Sequence, residues 1–221
     1  MTLSHIVSLI IIIHAALGVV SLISGTIATL VVKGSVSHKR AGKIFFYSGV
    51  LSISFSLLVI SFPDHWNPFL LSIGIFSLYF LIIGFRSSKY QLLNHSFIID
   101  KTLTWLMAIS CVAMIILPIL LLKAINIVTA VFGFIGLFVS FQNLLAFAEA
   151  NNLNSNWLRF HIIHMSAGFI SIISAFLVVN QLLPSLFNWF LPTIVGTASV
   201  SYTHLDVYKR QMLLPIQSPK R

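Results

Sequence analysis

Seven stretches of this chain stay apolar for long enough to cross a bilayer, and charge almost vanishes inside them. A helix needs about 20 mostly apolar residues to span the hydrocarbon. The stretches are His5–Val32, Ile44–Phe62, Phe69–Phe85, Thr102–Leu122, Ile125–Ala148, Leu158–Asn180 and the shorter Pro184–Ser199. They are continuous rather than alternating, which favours helices that satisfy their own backbone over strands. Only 8% of the residues are charged, against about a quarter in a soluble domain. That is too little to cover a water-facing surface of this size. The expected fold class is therefore all-α, a polytopic membrane helix bundle forming one domain over residues 1–199 and surrounded by the lipid bilayer.

The few charges fix an orientation. Lys33, Lys39, Arg40 and Lys43 lie between the first two stretches. Arg86, Lys89 and Lys101 lie between the third and fourth against Asp100, and Arg159 follows the fifth against Glu149. The second gap holds only Asp64, the fourth only Lys123, and the sixth no charge. Cytoplasmic loops collect Lys and Arg, so the odd-numbered loops are expected inside, with the N-terminus outside and the C-terminus inside. Trp66 and Trp157 fall at the expected interfaces. The first residues, Met1 to His5, carry no basic side chain, and the run after them is too long for a secretory leader, so it reads as a retained span. The formal charge of +9 follows from these loops. No basic array interleaved with aromatics suggests a nucleic-acid partner. Cys111 is the only cysteine, which rules out an intrachain disulfide and any cysteine-rich metal site.

Helical spacing places small and polar residues in stripes. His14, Gly18, Ser21, Gly25 and Ala28 share one face of the first span. Thr129, Gly133, Gly136, Ser140 and Asn143 share one face of the fifth, and His161, His164, Gly168, Ser171 and Ala175 one face of the sixth. Small residues let membrane helices approach closely, and polar ones bond across the contact. His14, Gly18, Gly25, Gly133, Gly136, Asn143, Gly168 and Ser171 are thus expected at helix–helix contacts.

Ionisable groups inside a membrane often mark function, so the histidines are the candidate site residues. His161 and His164 are three apart on one helix, about 60° around it, and cannot act as opposite axial ligands of one haem. His14 and His164 enter from opposite membrane faces, with expected depths differing by more than about 10 Å. His38 has a depth compatible with either His161 or His164. These three residues form the candidate cofactor site, for haem or for zinc or iron, with Asp100 or Glu149 available to complete a metal set. Ordinary interfacial or interhelical hydrogen bonding is the leading reading for each histidine, and the cofactor site is the alternative to it. His5 and His65 are expected at the outer surface and His95 in the long third loop. No phosphate loop, nucleophile elbow or zinc-protease helix is present, so no catalytic residue is assigned. Gln142, Asn143 and the Ser/Thr-bearing stripes could instead line a path for a small neutral molecule or a lipid.

The order of motifs resembles an uncharacterised bacterial family of multi-spanning membrane proteins, classed as a domain of unknown function. His38-Lys39-Arg40-Ala41-Gly42-Lys43-Ile44-Phe45-Phe46 is similar to that family's basic His-Arg-x-x-Gly-Arg turn. His14 with Gly18 and Gly25, Asn67-Pro68-Phe69, Phe132-Gly133-Phe134-Ile135-Gly136, His161 through Asn180, and Leu191-Pro192-Thr193 resemble its other spans. The resemblance implies seven spans in a bacterial inner membrane and no established reaction. Val200 to Gln211 resembles the translation of two transposase end sequences joined head to head, as used in preparing sequencing libraries. Residues 200–221 are accordingly expected to be a non-native tail, and Tyr202 and His204 carry no functional weight.

Overall fold

A computed structural model describes residues 3–92, 95–184 and 187–198; the expected non-native tail lies outside them. Helices follow one another with short connections: α1 (Leu3–Leu30), α2 (Val36–Ile60), α3 (Pro68–Arg86), α4 (Ile98–Leu122), α5 (Ile127–Ala148) and α6 (Ala150–Asn180). A further helix, α7, covers residues 187–198. Among the described residues no strand occurs, and six helices are long and apolar enough to cross a membrane. The seventh apolar stretch supplies only the short α7 within them.

Helix ends follow local chemistry rather than the limits of the apolar runs. Lys33 Nζ donates to the Ala28 carbonyl at 3.1 Å and to that of Thr29, placing a cation at the α1 C-terminus. Gly34 then turns the chain at φ 78°, a conformation that favours glycine. The side chain of Ser35 caps α2 by accepting from the His38 amide at 3.1 Å. The basic segment from His38 to Lys43 is therefore the start of a helix, and α2 begins eight residues ahead of the apolar run. Asn67 caps α3 through the Leu70 amide at 3.1 Å, with Pro68 in the first helical position. Asn126 caps α5 through Thr129. Glu149 is the one non-helical residue between α5 and α6.

α3 is the centre of the bundle. Half of its most apolar window is buried in protein, against 11% for α1, so α1 is peripheral and its remaining surface is available to lipid. α3 packs on α2, α4 and α6, while α1 packs mainly on α2 and α4 on α5. One apolar cluster joins α3, α4 and α5 through Phe76, Phe80, Met107, Cys111 and Phe132. Another joins α2 and α3 through Phe45, Ile53 and Leu81, with Phe169 of α6 packed against it.

Glycines set the spacing. A Cβ on Gly84 would lie 2.7 Å from the Met165 backbone nitrogen, so α3 and α6 meet there backbone to backbone. Gly168 faces Leu81, Gly25 lies under the rings of Phe169 and Phe45, and Gly18 faces Ser52. Gly133 and Gly136 seat α5 against Cys111, Ile115 and Met107 of α4. α7 wedges between α5 and α6: Phe190 stacks on Phe132 with centroids 6.4 Å apart, and Gly196 abuts Ile170.

Gly84→Ala should lower stability by about 1–3 kcal/mol, because the backbone it meets cannot move aside. Gly42 has nothing within 4 Å of a built Cβ, so Gly42→Ala should leave stability unchanged or slightly raised. Reversible unfolding in mixed micelles distinguishes the two, and equal losses would contradict the close-approach argument.

Candidate functional site

Polar side chains gather in two connected places, and α3 contributes to both. The first is a clasp around Asp100, in the opening turn of α4 and fully buried. Arg86, at the end of α3, grips it with a two-pronged contact, Nε to Oδ1 and Nη2 to Oδ2, both 2.8 Å. Tyr90 Oη donates to Oδ1 at 2.8 Å, and His95 Nε2 donates to Oδ2 at 3.2 Å. A carboxylate removed from water needs this many donors to remain charged. Its position at a helix N-terminus adds the favourable end of the backbone dipole. The α3–α4 connection is folded under the bundle as a result. Tyr90 is fully buried against Phe97, Phe147, Phe160 and Leu153. Burial, the Asp100 charge and the hydrogen bond to it push the Tyr90 phenol well above its ordinary 10.

The second place lies deeper, among α3, α4, α5 and α6. Thr104 Oγ1 donates to the Asp100 carbonyl at 2.7 Å, so it accepts from Tyr79 Oη at 3.1 Å. Tyr79 Oη in turn accepts from Asn143 Nδ2 at 2.5 Å. The second hydrogen of that amide reaches His164 Nε2 at 2.8 Å. His164 Nδ1 donates to the Phe160 carbonyl at 2.9 Å, a bond that requires the proton on Nδ1 and leaves Nε2 to accept. Tyr79, Thr104, Asn143 and His164 are all buried. An aromatic route closes the loop: His164 stacks on Phe160 at 4.2 Å, and Phe160 packs on Tyr90 at 5.6 Å. On α5, one helical turn before Asn143, buried Ser140 Oγ has no hydrogen-bond partner among the described residues.

The three histidines of the sequence-based cofactor site are placed unequally. His161 Nδ1 donates to the Gly84 carbonyl at 2.7 Å, and His38 Nδ1 to the Ala28 carbonyl at 3.0 Å. His164 has both ring nitrogens engaged within the network. Asp100 is committed to Arg86, Tyr90 and His95. Among the described residues no cluster of three or more His, Cys, Asp or Glu side chains is arranged to hold a metal. His14 stands apart, donating from Nδ1 to the Ser52 carbonyl at 2.8 Å while Ser52 Oγ donates to the His14 carbonyl at 2.9 Å. Gly168 and Ser171 are buried on α6, Ser171 bonding back to the Gly168 carbonyl.

Beside the network, α5 and α6 diverge from their one-residue connection and leave a cleft of about 470 Å³. Phe138, Gln142 and Asn143 of α5 and Arg159, Ile163 and His164 of α6 are among its walls. It lies toward the basic end of the bundle, while α7 occupies the α5–α6 gap nearer the other end. Its size falls in the range of small-molecule sites, roughly 300–1,000 Å³.

Sequence reasoning did not single out Tyr79, Tyr90 or Thr104, and read Asp100 as loop charge or a spare metal ligand rather than as the centre of an ion-pair clasp. The available signal was an acid in the first turn of an apolar helix, which demands a partner. Arg86, Tyr90 and His95 lay within 14 residues of it. No protein-family model, curated protein or solved structure matches the chain.

Asp100→Asn should cost about 3–5 kcal/mol by leaving Arg86 without its charge partner. Adding Arg86→Gln should cost less than the sum of the two single changes; additive losses would mean the pair is not coupled. The Tyr90 phenol holds its proton in the folded chain at pH values where the unfolded chain releases it. Stability should therefore fall as pH rises through about 10. Thermal melts should show a shallower fall in Tyr90→Phe; an identical slope would place the titration elsewhere.

Proposed function

We propose that this chain is an integral protein of a bacterial inner membrane that takes a small amphipathic molecule from the bilayer into the α5–α6 cleft. The observation that carries the reading is the buried Asn143–His164 pair set in the wall of an otherwise largely apolar cleft. An apolar cavity with a few fixed polar groups suits a ligand that has both kinds of surface. The neighbouring α5 side chains Phe138, Phe141 and Leu145 are well exposed, which suits a mouth open to lipid rather than to water. In this reading the bundle has seven spans, with the N-terminus outside, the basic loops in the cytoplasm, and residues 200–221 not native to it. The positive-inside distribution supports that orientation. We assign no catalytic step to the site.

A photoactivatable fatty-acyl probe, added to membranes carrying the full chain, should cross-link within residues 138–164. Ile163→Trp, which fills the cleft, should abolish that product while leaving the fold intact. Cross-linking spread evenly over the exposed faces of all helices would count against the proposal. Orientation is tested by labelling a cysteine placed at Ser35, since the native Cys111 is buried. It should react only from the cytoplasmic side.

A metal or haem reading keeps one specific support. The Nδ1 groups of His38 and His161 each donate to a backbone carbonyl, the arrangement that orients a ligating imidazole through Nε2. A Soret band or stoichiometric metal in the purified protein, lost in His161→Ala, would favour that reading over the cleft.

A further inference from the structure

We propose that the molecule held in the cleft is an anionic lipid, with its acidic head on Arg159 and an acyl chain between Phe138 and Ile163. This rests on the reading of the cleft as a ligand site and adds the chemistry of the ligand.

Among the described residues Arg159 is the only charged one lining the cleft, and no carboxylate lines it. Among the described residues Arg159 has no ion-pair partner, whereas Arg86 is matched by Asp100. Arg159 is an exposed residue, and a guanidinium can take a phosphate or carboxylate through paired N–H donors. Gln142, which is exposed, also lines the cleft and offers an amide to ester or phosphate oxygens. The other lining residues include apolar Phe138, Leu153, Phe160 and Ile163. Arg159 and His164 are five residues apart on α6, a rise of roughly 7 Å. A head at Arg159 therefore leaves the chain pointing toward the buried part of the bundle. A free phosphate would satisfy Arg159 and leave the apolar walls uncovered. A neutral amphiphile would cover the walls and leave the cation alone. A lipid with an acidic head meets both demands, and the exposed aromatic and aliphatic side chains around the mouth place it beside the bilayer that supplies such a molecule.

The test measures lipid retained by the full chain after purification, using phosphatidylglycerol and phosphatidylcholine with matched acyl chains, and inorganic phosphate as a competitor. Phosphatidylglycerol should be retained about tenfold more strongly than phosphatidylcholine, and Arg159→Gln should remove that difference. Arg159→Lys should keep part of it, and phosphate alone should compete poorly. Ile163→Trp should release both lipids, with melting temperature confirming that each variant is folded. Equal retention of the two lipids, still blocked by Ile163→Trp, would overturn the anionic-head proposal and leave the cleft reading standing. Retention untouched by Ile163→Trp would overturn both. Displacement by phosphate as effective as by lipid would overturn the acyl part. A photo-cross-linking amino acid at position 163 should yield a lipid adduct; an adduct to the chain's own residues 199–221 would instead identify the occupant as the protein itself.

Discussion

A carboxylate at the start of an apolar helix has to be answered by other groups, and the way Asp100 is answered organises the basic end of this bundle. Arg86 supplies the charge and two of the hydrogen bonds, and Tyr90 and His95 supply the others. Meeting those donors draws the α3–α4 connection inward until Tyr90 is sealed among Phe97, Phe147, Phe160 and Leu153. The clasp thus holds α3 to α4 directly and reaches α5 and α6 through the aromatic ring that Tyr90 joins. Replacing a buried ion pair by well-fitted apolar groups need not cost stability. Its more specific effect here is geometric: it fixes which turn of α4 sits beside the end of α3, and hence where Thr104 meets Tyr79.

Close helix approach depends on small residues, because lipid offers no hydrophobic drive for helices to associate. The contact of Gly84 with the Met165 backbone brings α3 against α6. It also exposes the Gly84 carbonyl to His161. One missing side chain therefore provides both packing and the acceptor that satisfies a polar ring. The same economy appears between α1 and α2, where Gly18 faces Ser52 and Ser52 exchanges hydrogen bonds with His14. Buried hydroxyls such as those of Ser24, Ser48, Ser77 and Ser174 are instead satisfied within their own helices, each donating to the carbonyl four residues earlier.

The cleft follows from the way α5 and α6 are joined. A single non-helical residue between two long helices allows them to start together and spread apart. α7 fills part of the gap, and the rest is walled by apolar side chains with Asn143 and His164 at the polar network's edge. His164 is held neutral and oriented by bonds to both ring nitrogens, so its contribution to a ligand would be surface and shape rather than a free lone pair.

The sequence by itself determined that this is a helical bundle of membrane-spanning length, since runs of this size with so little charge admit no water-facing fold. The faces bearing Gly133, Gly136 and Asn143, and His164, Gly168 and Ser171, were legible from spacing alone, because helical periodicity is a local property. Helix starts were less legible. Hydropathy ends at Ile44, whereas the cap at Ser35 begins α2 among basic residues that the apolar signal cannot register. Only the tertiary structure decided which polar groups meet. Asp100 pairs with Arg86 across 14 residues, and Asn143 reaches Tyr79 across 64. Such pairings depend on helix rotation and relative depth, which packing of the whole bundle sets and no single stretch encodes.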